Sequence, residues 1–147
     1  MSWLSAAVPV GDELFLYYGG YARGHKIAPE TERQIGLVRI PRDRYAGLKT
    51  TDDSQGRLRT LPLRLAGESL AINFASEGGP LRVRVLNADG TAIPGYGEQD
   101  CNPMTGDHLA AQVCWTNPLS RLKGTVARFE FIIHRGTLFG FDLIASK

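Results

Sequence analysis

The sequence predicts an all-β protein, an antiparallel β-sandwich of jelly-roll-like character with little or no helix. Three observations carry that expectation. Apolar residues recur at every second position in run after run, as on strands with one buried face. Turn-forming pairs fall between the runs. No window holds the i, i+3, i+4, i+7 stripe of an amphipathic helix.

Taken in order, SAAVPV and ELFLYY flank Gly11-Asp12, a two-residue hairpin signal. The expected strands there are 4–9 and 13–18, followed by 34–40. A further strand is expected over 58–65. Leu70, Ile72 and Phe74 alternate with Ala71 and Asn73, giving a strand over 69–76. Leu81, Val83 and Val85 alternate with Arg82 and Arg84, giving 81–87. Glu77-Gly78-Gly79-Pro80 between these two reads as a turn. Asp89-Gly90 reads as a type I′ turn. A strand is expected over 109–115. Phe129, Phe131 and Ile133 place another over 125–134, and Phe139, Phe141 and Leu143 one over 137–144. Arg135-Gly136 reads as the hairpin between those last two.

Two connections are long. Residues 19–33 and 95–108 each exceed an ordinary hairpin loop, and long loops are either functional or packed on themselves. A seam near residues 41–56 divides the chain into an N-terminal hairpin unit, 1–46, and a sandwich domain, 47–147.

Composition narrows the function classes. The chain has 147 residues, 43% hydrophobic and 22% charged, with 17 basic and 15 acidic side chains for a net charge of +2. A chain of that length buries roughly 68–70% of its unfolded surface, so a core forms without staples. The charge balance gives no footing for nucleic acid or an anionic membrane as partner. Arg57, Arg59, Arg64, Arg82 and Arg84 alternate with apolar residues and read as outward strand faces. No stretch reaches the ~20 apolar residues of a membrane helix. The N-terminus lacks a basic leader region, so a soluble, cytoplasmic chain is expected.

Chemistry-bearing residues are sparse. Cys101 and Cys114 are expected as reduced thiols; a disulfide between them would add about 3 kcal/mol. With Asp107 and His108 they form a Cys-x6-His-x5-Cys set without the paired spacing of a zinc site, so no metal and no cofactor are expected. Glycoside hydrolysis needs two carboxyl groups about 5–9.5 Å apart. Glu30, Glu32, Glu98, Asp100 and Asp107 lie in the long loops, yet nothing in the sequence pairs them, and no catalytic residue is assigned. For ligand binding, Tyr21 and Tyr96 are candidate stacking platforms, with Trp115 as a further aromatic. Arg23, His25, Asp100 and Asn102 form the polar rim, and the ligand class is carbohydrate or another small molecule.

Leu14, Phe15, Leu16, Tyr17 and Tyr18 raise a different question, because this stretch is apolar on both faces. The order ELFLYYGGY, GHK, ERQIGLVRIPRDRYAGL, GRLRTLPLRLAGESLAINF, LRVRVLNADGTAIPGY, DCNPMTGDHLAAQVCW resembles the C-terminal end of bacterial glycoside hydrolases similar to families 32 and 43. The resemblance implies that residues 13–18 derive from the last propeller blade, with the β-sandwich after it. It also implies that the catalytic carboxylates lie in blades upstream of this sequence. The resemblance makes the chain either a fragment of such a protein or a free-standing derivative, and in a derivative Leu14–Tyr18 are expected to form an interaction surface covered by the chain's own sandwich, a second copy or another protein domain. The expected role is structural and oligomer-forming, with carbohydrate binding as the alternative and residual hydrolase activity as the second.

Overall fold

The computed structural model describes residues 4–21, 33–51 and 53–145. Ten strands and one short 3-10 turn, Leu119–Leu122, make up its regular structure. All pairings are antiparallel. The chain divides into two compact units, Met1–Tyr45 and Ala46–Lys147.

The first unit is a three-stranded sheet of β1 (Val8–Val10), β2 (Glu13–Tyr21) and β3 (Arg33–Pro41), in the order β1-β2-β3. Gly11 and Asp12 form the two-residue hairpin between β1 and β2, with Val10 opposite Glu13. The β2–β3 ladder runs unbroken from Glu13 opposite Pro41 to Tyr21 opposite Arg33.

The second unit is built around β7 (Ser69–Asn87), a strand of 19 residues. Its first half pairs with β10 (Gly136–Ile144) on one side and β8 (Met104–Gln112) on the other. Its second half pairs with β9 (Val126–His134). The remaining strands extend these two layers. β4 (Leu48–Lys49) adds to β10, while β5 (Gln55–Arg59) and β6 (Leu63–Arg64) add to β9. The result is a curled sheet whose two halves face one another as a sandwich. Phe141 of β10 shows this directly: its ring lies 5.2 Å from Phe131 and 5.9 Å from Phe129 of the opposing layer.

The alternation seen in the sequence fills the space between layers. Leu70, Ile72, Phe74, Leu81, Val83, Val85, Phe129 and Phe131 are all buried. Each lies on the inward side of its pleat, as period-two spacing requires.

Two expected turns are something else. Glu77-Gly78-Gly79-Pro80 does not reverse the chain; it bends one strand from the first layer into the second. Arg135 likewise makes no hairpin. It takes φ +50° at a corner, after which β10 enters the layer opposite β9. The two corners stack. A Cβ at Gly79 would overlap the His134 carbonyl and ring, so this position tolerates only hydrogen. Asp89-Gly90 does turn the chain, but Asp89 is outside the positive-φ region. The Gly90 amide donates to the Asn87 carbonyl, and Gly90 alone takes φ +93°. That is the longer hairpin connection with a left-handed glycine at its end, in place of type I′.

Phe131 is fully buried and touches rings on both sides of the core. Phe131→Ala is expected to destabilise the chain by about 3–5 kcal/mol, measured as a lowered urea midpoint with unchanged slope.

Candidate functional site

In the three-stranded sheet, directly opposed residues share a face. Leu14, Leu16 and Tyr18 therefore lie with Ile40, Val38 and Gly36. Phe15 and Tyr17 lie with Arg39 and Leu37 on the other face, beside Val8. Both faces are apolar, as the sequence suggested for β2 alone. Burial is uneven. Leu14 is 4% exposed and Tyr17 39%, with Phe15, Leu16 and Tyr18 half-buried. Tyr18 lies across Gly36, where a side chain would overlap its ring, and Arg39 covers Phe15 at 5.4 Å. Arg39 also binds Glu13 through Nε at 3.1 Å. The larger exposed surface is on β3: Ile35 is 73% exposed, and Leu37 and Val38 about 40%. Sequence reading centred the surface on β2 and missed β3, although QIGLVRI carries the same two-sided apolar pattern.

The described loop candidates of the sandwich unit, Tyr96, Asp100 and Asn102, are taken up by local contacts. Tyr96 is buried, and its hydroxyl donates to the Pro118 carbonyl at 2.9 Å. Its ring belongs to the core beside Trp115, so it offers no face to a sugar. Asp100 accepts the Gly97 amide at 2.8 Å and pins its own loop. Asn102 is exposed, and its backbone amide donates to the Cys114 carbonyl. Tyr21 sits on β2 with the Arg33 guanidinium 5.6 Å from its ring. Arg23 and His25 lie outside the described residues, as do Glu30 and Glu32.

Residues 95–102 instead close the free edge of β7. The Val85 amide donates to the Tyr96 carbonyl, and the Val83 amide to the Cys101 sulfur at 3.3 Å. Trp115 Nε1 donates to the Val83 carbonyl at 2.7 Å. Cys101 is buried and Cys114 exposed, both free. Burial pushes the Cys101 thiol up, which keeps it neutral. Among the described residues no cluster has the makings of a metal site. No helix among them is long and apolar enough to cross a membrane.

Two features were not foreseen. The first is a shallow groove of about 290 Å³ lined by Trp115, Gln112, Thr116, Asn117, Glu68 and Ser69, among others. The second is a convergence of arginines on Glu130. Glu130 lies on the outward face of β9 yet is only 3% exposed. It stands opposite Arg59 of β5 and Arg84 of β7. Arg59 reaches one carboxylate oxygen through Nε at 3.0 Å and Nη2 at 2.8 Å. Arg57 Nη1 lies 3.3 Å from the other oxygen, and Arg84 Nε pairs with the same atom. Alternation alone could mark these side chains as outward. Their meeting at Glu130 needed the strand register.

Burial raises the proton affinity of the Glu130 carboxyl, but the hydrogen bonds and charges of Arg84 and Arg59 outweigh it and hold the group below its ordinary 4.5. Because the folded value is depressed, the stabilisation is complete above the unfolded value and fades as pH falls through the folded one. Glu130→Gln is expected to cost about 2–3 kcal/mol at neutral pH, since three guanidinium groups lose their shared carboxylate. The gap between wild type and variant should close on acidification below pH 4.5 in urea titrations; a pH-independent gap would contradict this account.

Comparison with known proteins finds no matching family model, no matching curated protein and no matching solved structure.

Proposed function

We propose that this chain is a non-catalytic β-sandwich module with an interaction role, and that its N-terminal sheet associates with a second copy of the same chain. The observation that supports this reading is the two-sided apolar character of that sheet. A lone three-stranded sheet has one face to bury against a core, whereas here Leu14, Leu16, Val38 and Ile40 occupy one side and Phe15, Tyr17, Ile35 and Leu37 the other. Among the described residues β3 is also the outer strand of its sheet over nine residues, with no strand paired on its far side. Such an edge is a template for another strand unless charge, proline or a bulge blunts it. Here charge and proline come only at the ends, as Arg33, Arg39 and Pro41.

The same pattern suits descent from the C-terminal part of a glycoside hydrolase similar to families 32 and 43. A blade strand is covered on both faces by its neighbours. Apolar residues kept on both faces of such a strand need covering by other protein, and a second copy of the chain would supply it.

Carbohydrate binding is the second reading. It rests on the groove at Trp115, where an aromatic side chain stands among Gln112, Thr116 and Asn117. Retardation in gels cast with soluble polysaccharide, lost in Gln112→Ala with the fold intact, would favour it.

For the first reading, light scattering after size exclusion should give a dimer at tens of micromolar. Ile35→Lys/Leu37→Lys should return it to a monomer with unchanged circular dichroism. A wild-type chain that stays monomeric at high micromolar concentration would refute the proposal.

A further inference from the structure

The outward face of the layer formed by β5, β9 and the second half of β7 carries more positive charge than it neutralises. Arg57 and Arg82 flank Ile132, and Arg59 and Arg84 flank Glu130. Four guanidinium groups thus surround two carboxylates, Glu130 and Glu98. Glu98 lies 3.7 Å from Arg57, and its backbone carbonyl accepts from Arg82 at 3.2 Å. Arg82 is held further by the Cys101 carbonyl at 2.7 Å.

These side chains are fixed in place. Arg57 and Arg82 stand on either side of Ile132, which is 2% exposed although it lies on the outward side of the pleat. Glu130 holds three of the heads from beneath. Strand geometry sets the spacing: residues two apart on one strand are about 7 Å apart, and β5 and β7, separated by β9, stand about 10 Å apart. Yet the heads are not used up. Side-chain exposure is 47% for Arg57, 46% for Arg59 and 30% for Arg84. Arg59 bonds Glu130 through Nε and Nη2, and Arg84 meets it through Nε alone, a buried nitrogen in ion-pair contact but without a well-aligned hydrogen bond.

We propose that this face is a binding site for a small ligand bearing oxyanion groups, phosphate or carboxylate, held by Arg57, Arg59 and Arg84 with Glu130 as the positioning residue beneath them. Guanidinium is weakly hydrated and its planar fork matches the oxygens of such groups. The ordering of three long side chains is already met by Glu130, so a ligand gains their donors without that entropic cost. Glu130 and Glu98 together carry two negative charges against four guanidinium groups, so the face keeps a net positive charge. The site belongs to the sandwich unit and stands independently of any association through the N-terminal sheet.

The test is a titration of the full chain with inorganic pyrophosphate, citrate and inorganic sulfate, at ionic strength held constant with chloride. The readout is the arginine Nε–Hε resonances. Saturable shifts confined to Arg57, Arg59, Arg82 and Arg84 are expected, with preference between pyrophosphate and citrate telling phosphate from carboxylate ligands. Arg57→Gln/Arg59→Gln should weaken binding by about tenfold or more, and the control pair Arg64→Gln/Arg121→Gln by less than about twofold. If the glutamine pair fails to fold, Arg57→Lys/Arg59→Lys keeps the charge and removes the fork, and should still weaken binding several-fold. Non-saturating shifts, shifts spread equally over Arg64 and Arg121, or unchanged affinity in the lysine pair would overturn the proposal.

Discussion

The sandwich depends on one strand belonging to both of its layers. β7 runs from Ser69 to Asn87 and bends at Gly78-Gly79-Pro80, so each half lies in a different layer. The bend works because a second corner is stacked on it. There Arg135 carries the chain from β9 to β10, and its carbonyl accepts the Glu77 amide. Gly79 lets His134 approach where any side chain would collide. With both corners set, Phe74 and Leu138 of one layer come to face Phe129 and Phe131 of the other, and the apolar sides of the strands close on each other. The long loop then seals what the bend leaves open, with Cys101, Tyr96 and Trp115 supplying groups that a neighbouring strand would otherwise provide.

The two units handle their strand edges differently. In the sandwich, the free side of β7 is met by side chain and loop backbone. Its outward face is held by arginines that converge on the buried Glu130 carboxylate. In the N-terminal unit, β3 has no strand beyond it among the described residues, and Ile35, Leu37 and Val38 are exposed. Leaving apolar side chains and an unpaired edge together invites association, and natural sheets normally avoid the combination. That contrast within one chain is the reason to read the first sheet as a surface for a partner.

Much of the fold was legible because alternation is a local property. Leu70, Ile72 and Phe74, or Phe129, Phe131 and Ile133, declare a buried face without any knowledge of what they face. The corners were not legible, since glycine and proline mark a bend within one strand and a reversal between two strands with the same residues. Asp89-Gly90 shows the same limit at finer scale: the turn was evident, its type was not. The burial of one candidate ligand residue was hidden for a related reason. Tyr96 sits in a long polar loop by sequence, yet that loop folds back over the sheet and delivers the ring to the core. Glu130 and its arginines are far apart in sequence, on three strands, and only their register brings them together.

The central proposal is that the N-terminal sheet associates with a second copy of the chain along β3 while the strands of the sandwich take no part. Hydrogen exchange measured residue by residue at low and high protein concentration tests it most directly. The account predicts that amides of β3 on the side away from β2 gain protection as concentration rises, and that those of β7 stay unchanged throughout. Equal protection of β3 at both concentrations, in a chain that remains folded, would contradict it.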